Sequence, residues 1–259
     1  MALLIMGFYG SGKSLLWNLC NSHPDIEVTE GFHNFRELDV PYTKHVGALR
    51  RSWHRYPLVD SKGKTGRPWR YYKNGIFVAR YLIGLRARRE GLIGAGDVET
   101  VLCRLFPHAS VVGDVAATYL SALDRLVSIP SLSQTIIYRD CRDVTSCVLK
   151  RVRTTWQRNN PSVGQYNTAE KVATKWAQAI EAMEQHGDKV HLMRYEDLVA
   201  DGRTVLAAFG NWLGVDPQGF RHQMIDTAWV GEYKQTLSND EIASIMRIAG
   251  PTMERLGYL

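Results

Sequence analysis

The sequence predicts an α/β protein, a P-loop-type three-layer α/β/α fold with a central parallel sheet. Two observations carry that expectation. Short apolar runs alternate with helix-period stretches along the chain, the pattern of βαβ units. The first run, Ala2–Met6, passes at once into Gly7-Phe-Tyr-Gly-Ser-Gly-Lys-Ser14, which matches G-x-x-x-x-G-K-[ST]. With 259 residues, 45% of them apolar and 22% charged, the chain can bury one large core, and general disorder or a fibrous repeat is excluded.

The elements follow in order. Ala2–Met6 reads as a buried strand, since it is apolar without a break. Glu27–Thr29, Ser110–Gly113, Thr135–Tyr138 and Val190–Met193 are the other expected strands. Helices are expected at Gly12–Asn21, Ile76–Glu90, Val98–Phe106, Ala117–Leu126, Val144–Arg153, Ala169–Gln185 and Thr204–Leu213, where apolar residues recur at helical spacing. A last helix opens at Ser238-Asn-Asp-Glu241, the spacing of a capping box. The whole chain reads as a single domain with one basic, aromatic insertion at about 44–90.

That insertion dominates the charge. Lys plus Arg number 32 against 26 acids, a net +6. Between Lys44 and Glu90 there are 13 bases and two acids, Asp60 and Glu90, so this stretch carries +11 and the remainder −5. Trp53, Tyr56, Trp69, Tyr71, Tyr72, Phe77 and Tyr81 lie in it, and Gly47, Pro57, Gly63, Gly66 and Pro68 make its first half read as irregular. It is expected to form helices and a lid over an anionic ligand. The alternative is a surface for single-stranded nucleic acid, and no RNA-binding fold accompanies it. Cys20, Cys103, Cys141 and Cys147 form no C-x-x-C pair and read as free thiols in a reducing compartment. No basic leader and no apolar run of membrane-spanning length is present, so a cytoplasmic protein without a membrane partner is expected.

The Gly7–Ser14 loop is the sharpest motif. Its glycines let successive amides turn inward toward phosphate oxygens, the next helix presents its N-terminus, and Lys13 adds a point charge. Tyr9, Gly10, Ser11, Gly12, Lys13, Ser14 and Leu15 are the expected anion-binding residues; a Gly-rich turn that matches by chance is the alternative. A kinase or NTPase would also need an acid to organise magnesium, and Asp114 is the one candidate.

Three further segments shift the reading. Ile136-Ile-Tyr-Arg-Asp-Cys-Arg-Asp-Val-Thr-Ser-Cys147, Arg194-Tyr-Glu-Asp-Leu198 and Gly231-Glu-Tyr-Lys234 resemble, in order, the R-D-x-R-D-V-x-x-S, R-Y-E-D-L and G-D-W-K segments of the PAPS-dependent sulfotransferases, where PAPS is 3′-phosphoadenosine 5′-phosphosulfate. The resemblance covers most of the chain except the basic insertion. It implies a P-loop α/β enzyme that moves a sulfuryl group from PAPS to a hydroxyl, less readily an amine, of a small-molecule acceptor, in the manner of a natural-product tailoring enzyme. On it, the phosphate loop holds the 5′ end, and Arg139, Ser146, Cys147, Gly231, Tyr233 and Lys234 hold the remainder of PAPS. A guanidinium suits phosphate oxygens, although an Arg139–Asp143 ion pair capping a helix is the alternative.

Three positions depart from the family pattern. Gly10 stands where the family loop has its base, Cys147 where it has its serine, with Ser146 one place early, and Asp226-Thr-Ala228 where it has R-K-G, for which Arg221 or Lys234 would substitute. Lys13 then takes the charge-stabilising role. Gly113-Asp-Val-Ala-Ala-Thr-Tyr119 looks like the G-E-K-S-x-x-Y segment of Golgi-type sulfotransferases, which makes Asp114 the catalytic base unless it caps the next helix. Glu30 and His33 are the rival bases, and Glu196 and Asp197 read as structural. Arg151, Arg153, Trp156 and Arg158 add to the pocket mouth. The other readings are a P-loop small-molecule or nucleotide kinase using ATP and magnesium, and a non-catalytic nucleotide- or RNA-binding protein. The oligomeric state is not legible.

Overall fold

A computed structural model of the chain describes residues 1–55, 75–87, 91–156 and 163–259. The described residues build a five-stranded sheet in the order β2-β5-β1-β6-β7: β1 (Ala2–Met6), β2 (Ile26–Glu30), β5 (Val111–Val115), β6 (Leu132–Tyr138) and β7 (His191–Arg194). All four pairings are parallel, with Ile5 beside Val115, Met6 beside Ile136, Thr29 beside Asp114 and Tyr138 beside Arg194. Between β2 and β5 in sequence, β3 (Val40–Pro41) and β4 (Leu92–Ile93) form a small antiparallel pair.

Every residue of β1 is buried, because helices cover both of its faces. Leu3 and Ile5 point into one core and Ala2, Leu4 and Met6 into the other, the period-2 alternation of a strand. The first core is closed by α1 (Lys13–Cys20), α9 (Tyr195–Ala200) and α10 (Gly202–Leu213). The second, larger core is closed by α3 (Gly75–Arg86), α4 (Ala95–Leu105), α5 (Leu123–Leu126), α6 (Cys141–Thr154), α8 (Ala169–Gln185) and α12 (Asn239–Arg255). Together these make three layers. Two further helices, α2 (Tyr42–Arg55) and α7 (Val163–Tyr166), and a short α11 (Tyr233–Thr236) complete the elements the site needs.

β1 and α8 have the bounds read from the sequence, and the capping box of α12 forms both ways: Glu241 N donates to Ser238 Oγ at 3.2 Å and Ser238 N to Glu241 Oε2 at 2.9 Å. Two readings need correction, and one helix, at 195–200, was not expected. The stretch 117–126 is not one helix but a 3₁₀ segment, Ala117–Ala122, followed by α5. Residues 195–200 form α9, a helix begun directly at the end of β7. The start of the basic insertion, read as irregular, is the helix α2; its helical spacing lets His45 and Leu49 bury, while Pro57 lies beyond its last residue. The rest of the proposed lid, residues 56–74 and 88–90, lies outside the described residues, as does Arg158.

Candidate active site

The carboxyl ends of all five strands meet at one edge of the sheet, where open α/β sheets place their ligands. The residues singled out in the sequence gather there. Met6 leads into the phosphate loop, β2 ends on Glu30, β5 carries Asp114, Arg139 follows β6 and Tyr195 follows β7.

The loop turns on left-handed glycines. Gly12 has φ of 101°, and any Cβ there would strike the ring of Tyr195, so both conformation and space demand glycine. Lys13 opens α1, and its ammonium reaches back to the carbonyl of Phe8 at 2.6 Å, bracing the loop across its mouth. Burial pushes the Lys13 ammonium down to about 7; Arg151 adds to that fall, while Cys147 and Glu30 oppose it. Those causes also place Arg151, Cys147 and Glu30 in electrostatic reach of Lys13. Ser11 is buried, and its hydroxyl has no hydrogen-bond partner among the described residues. Phe8, Tyr9, Trp156 and Tyr166 pack edge-on around the loop, with Tyr9 5.5 Å from Trp156 and 5.4 Å from Tyr166. Ser14 is exposed on the first turn of α1, and Leu15 follows it half-buried.

Arg139 stands opposite. It is 5% exposed, its guanidinium lies 4.5 Å over the Tyr195 ring, and it donates to the carbonyls of Gly10, at 3.3 Å, and Trp229. Asp143 pairs with it at 3.3 Å and accepts from the amides of Gly231 at 2.8 Å and Tyr233 at 3.1 Å. One ion pair therefore ties α6 to the Gly231–Lys234 segment, and Nε of Arg139 remains without a partner among the described residues. The strand end is held by Trp176, whose indole donates to the Arg139 carbonyl at 3.0 Å, and by Glu196, which accepts from Asp140 N at 3.0 Å and from Tyr258 at 3.0 Å. Ser146 shares a hydrogen bond with Thr236 at 2.7 Å, Cys147 faces Gly10, and Lys234 is exposed on α11.

On the β2–β5 side, Asp114 is wholly buried and accepts from four donors. These are Thr29 Oγ1 at 2.8 Å, Phe32 N at 3.3 Å, His33 N at 2.7 Å and Tyr119 OH at 2.6 Å. Burial pushes its carboxyl up to about 7 against those bonds. The bond from His33 N holds His33 at φ of 57°, a left-handed conformation rare outside glycine. His33 is itself buried, lies 2.9 Å from the Thr118 hydroxyl, and is held down at about 4 by burial and then by Arg36, so its ring is neutral at pH 7. Glu30 differs from both: it is exposed at the tip of β2.

No protein-family model matches the chain, and no curated protein matches it. Solved structures do. A sulfotransferase domain from the curacin biosynthetic pathway superposes with a TM-score of 0.60 at 17% identity, covering 96% of this chain and 96% of that one. The sulfotransferase domain of the Synechococcus PCC 7002 olefin synthase gives 0.56 at 15%, over 96% and 94%. Mouse sulfotransferase SULT7A1, complexed with PAP, gives 0.54 at 11%, over 98% and 84%. The chain has the sulfotransferase fold.

Within that fold, the expected residues lie at the ends of four strands, β1, β2, β5 and β6, and Arg139 and Asp143 form the ion pair considered for them. Tyr195 was not among the expected site residues. Its sole signal was its place at the head of a Tyr-Glu-Asp-Leu segment after a strand. Trp176 and Tyr258, which steady the turn that carries Arg139, left no signal, since each acts from more than 35 residues away.

Proposed function

We propose that the protein is a sulfotransferase that transfers a sulfuryl group from PAPS to a hydroxyl of a small-molecule acceptor. The carrying observation is the pair of cation-lined positions at one sheet edge, Lys13 in its phosphate loop and Arg139 at the end of β6, in this fold. The residues fit such a donor: Lys13, the first amides of α1, and two buried groups with no partner among the described residues, Ser11 Oγ and Arg139 Nε, offer donors to a doubly anionic molecule. PAPS, when bound, supplies the sulfuryl group and leaves as PAP.

Lys13, Ser14 and the Gly10–Gly12 backbone hold the 5′ phosphate. Lys13 balances the charge that gathers on the leaving phosphate oxygen as the sulfur–oxygen bond breaks. Arg139 and the Ser146–Cys147 turn, with Gly231–Lys234 fastened over them by Asp143, hold the 3′ end. Glu30 takes the acceptor proton as the new oxygen–sulfur bond forms, because it is exposed and within electrostatic reach of Lys13. Asp114 and neutral His33 shape the acceptor loop, as both are enclosed. A kinase reading needs an acid to organise magnesium, and Asp114 is surrounded by four donors.

Calorimetry separates the readings. PAP should bind at micromolar levels without metal; ATP that binds only with magnesium, beside no PAP binding, overturns the sulfotransferase. Glu30→Gln is expected to keep PAP affinity within about twofold and to cut PAP release from PAPS, over a panel of phenols and alcohols, by roughly a hundredfold or more. Full turnover in that variant would remove Glu30 as the base.

A further inference from the structure

The phosphate loop has no cation of its own before Ser11. Position 10 is glycine at φ of 79°, and a Cβ there would lie 3.2 Å from the Cβ of Cys147 and 3.3 Å from the carbonyl of Val144. Helix α6 thus runs directly against the loop, and a side chain at that point would crowd it. Arg151 is one helical turn beyond Cys147, on the same face of α6. Just past the end of α6, Trp156 packs 5.5 Å from Tyr9, so the chain meets the loop again beyond Arg151.

The partners of the neighbouring cations set Arg151 apart. Lys150 pairs with Glu232 at 3.0 Å and Arg153 with Glu241 at 2.8 Å. Arg151 is exposed and makes no ion pair among the described residues. It is nevertheless near enough to the Lys13 ammonium to be, after burial, the main cause of that group's fall. Two like charges close enough to act on each other repel, and an anion held between them would relieve that repulsion. Cys147 and Glu30 oppose the fall at Lys13.

We propose that Arg151 is a direct ligand of the anion held by the Gly7–Ser14 loop, a second cation supplied from α6 that suits the loop to a group with at least two negative charges, such as a phosphosulfate or diphosphate. The assignment rests on the sulfotransferase reading for the identity of that anion, but its test does not.

Inorganic pyrophosphate and PAP are titrated into the wild-type protein, Arg151→Gln and Arg151→Lys, with each variant's melting curve as a check on folding. Arg151→Gln should weaken both ligands by about tenfold, and Arg151→Lys should restore most of that loss. In the ligand-free protein, NMR titration of Lys13 should move upward in Arg151→Gln, as a neighbouring positive charge is removed. Pyrophosphate affinity within twofold of wild type together with an unmoved Lys13 titration overturns the proposal. If wild type binds pyrophosphate and not PAP, while Arg151→Gln still loses pyrophosphate, the sulfotransferase reading fails and the role of Arg151 stands. If PAP binds wild type and Arg151→Gln equally, only the role of Arg151 falls.

Discussion

The two loops that leave β1 and β2 border the same sheet edge, yet they are held in opposite ways. The Gly7–Ser14 loop is shaped within eight residues, by left-handed glycines and by the Lys13–Phe8 bond. The loop after Glu30 is shaped from outside, by a carboxylate 81 to 85 positions away that collects two of its amides and a threonine hydroxyl. The first leaves the Ser11 hydroxyl without a partner among the described residues; the second is a satisfied network. Unpaired donors mark where a ligand belongs, and a saturated buried acid marks an anchor.

The contrast can be broken most sharply at Lys13. Lys13→Met keeps the stem and removes the charge, and should weaken PAP binding by on the order of a hundredfold by calorimetry, without unfolding the β2 loop. An affinity change under threefold would mean that the loop does not bind through its lysine. The pH dependence follows with a smaller effect. The free ammonium titrates at about 7 and a bound anion raises that value, so PAP affinity should fall as pH rises past 7, by at most about tenfold per unit, with proton uptake on binding.

Asp114→Asn should reverse the pattern, lowering stability by about 1–3 kcal/mol in urea unfolding while PAP affinity holds within about twofold. A large loss of PAP affinity would show the two loops to be one unit. The folded carboxyl titrates near 7, above its unfolded value, so its stabilising contribution is complete in acid and declines as pH rises from roughly 4 to 7. The Asn variant should lack that slope. The smallest effect is expected from Tyr119→Phe, which removes one 2.6 Å bond to Asp114 and should cost about 1 kcal/mol.

Much of the donor side was legible in the residues. Gly7–Ser14 is a local motif, and Arg139 and Asp143 lie only four residues apart across the start of α6, so short spacing joins them. β1 was legible because a strand buried on both faces is an unbroken apolar run. Asp114 was not legible in the same way. Its position suits a base, a metal organiser and a cap equally, and only the structure shows Thr29, Phe32, His33 and Tyr119 donating to it. The helix α2 was masked by Gly47 and by the glycines and prolines beyond it, which weaken local propensity without preventing burial of His45 and Leu49.

By itself, then, the chain determined an α/β fold with a phosphate loop at its first strand, because apolar periodicity and glycine-rich turns act over a few residues. Tertiary structure alone decided that Tyr195 backs Gly12 and Arg139, that Asp114 is enclosed while Glu30 is exposed, and that α6 lies against Gly10. Each of those depends on which strands become neighbours in the sheet, and that order, β2-β5-β1-β6-β7, is fixed by packing between segments too distant in sequence for any motif to record.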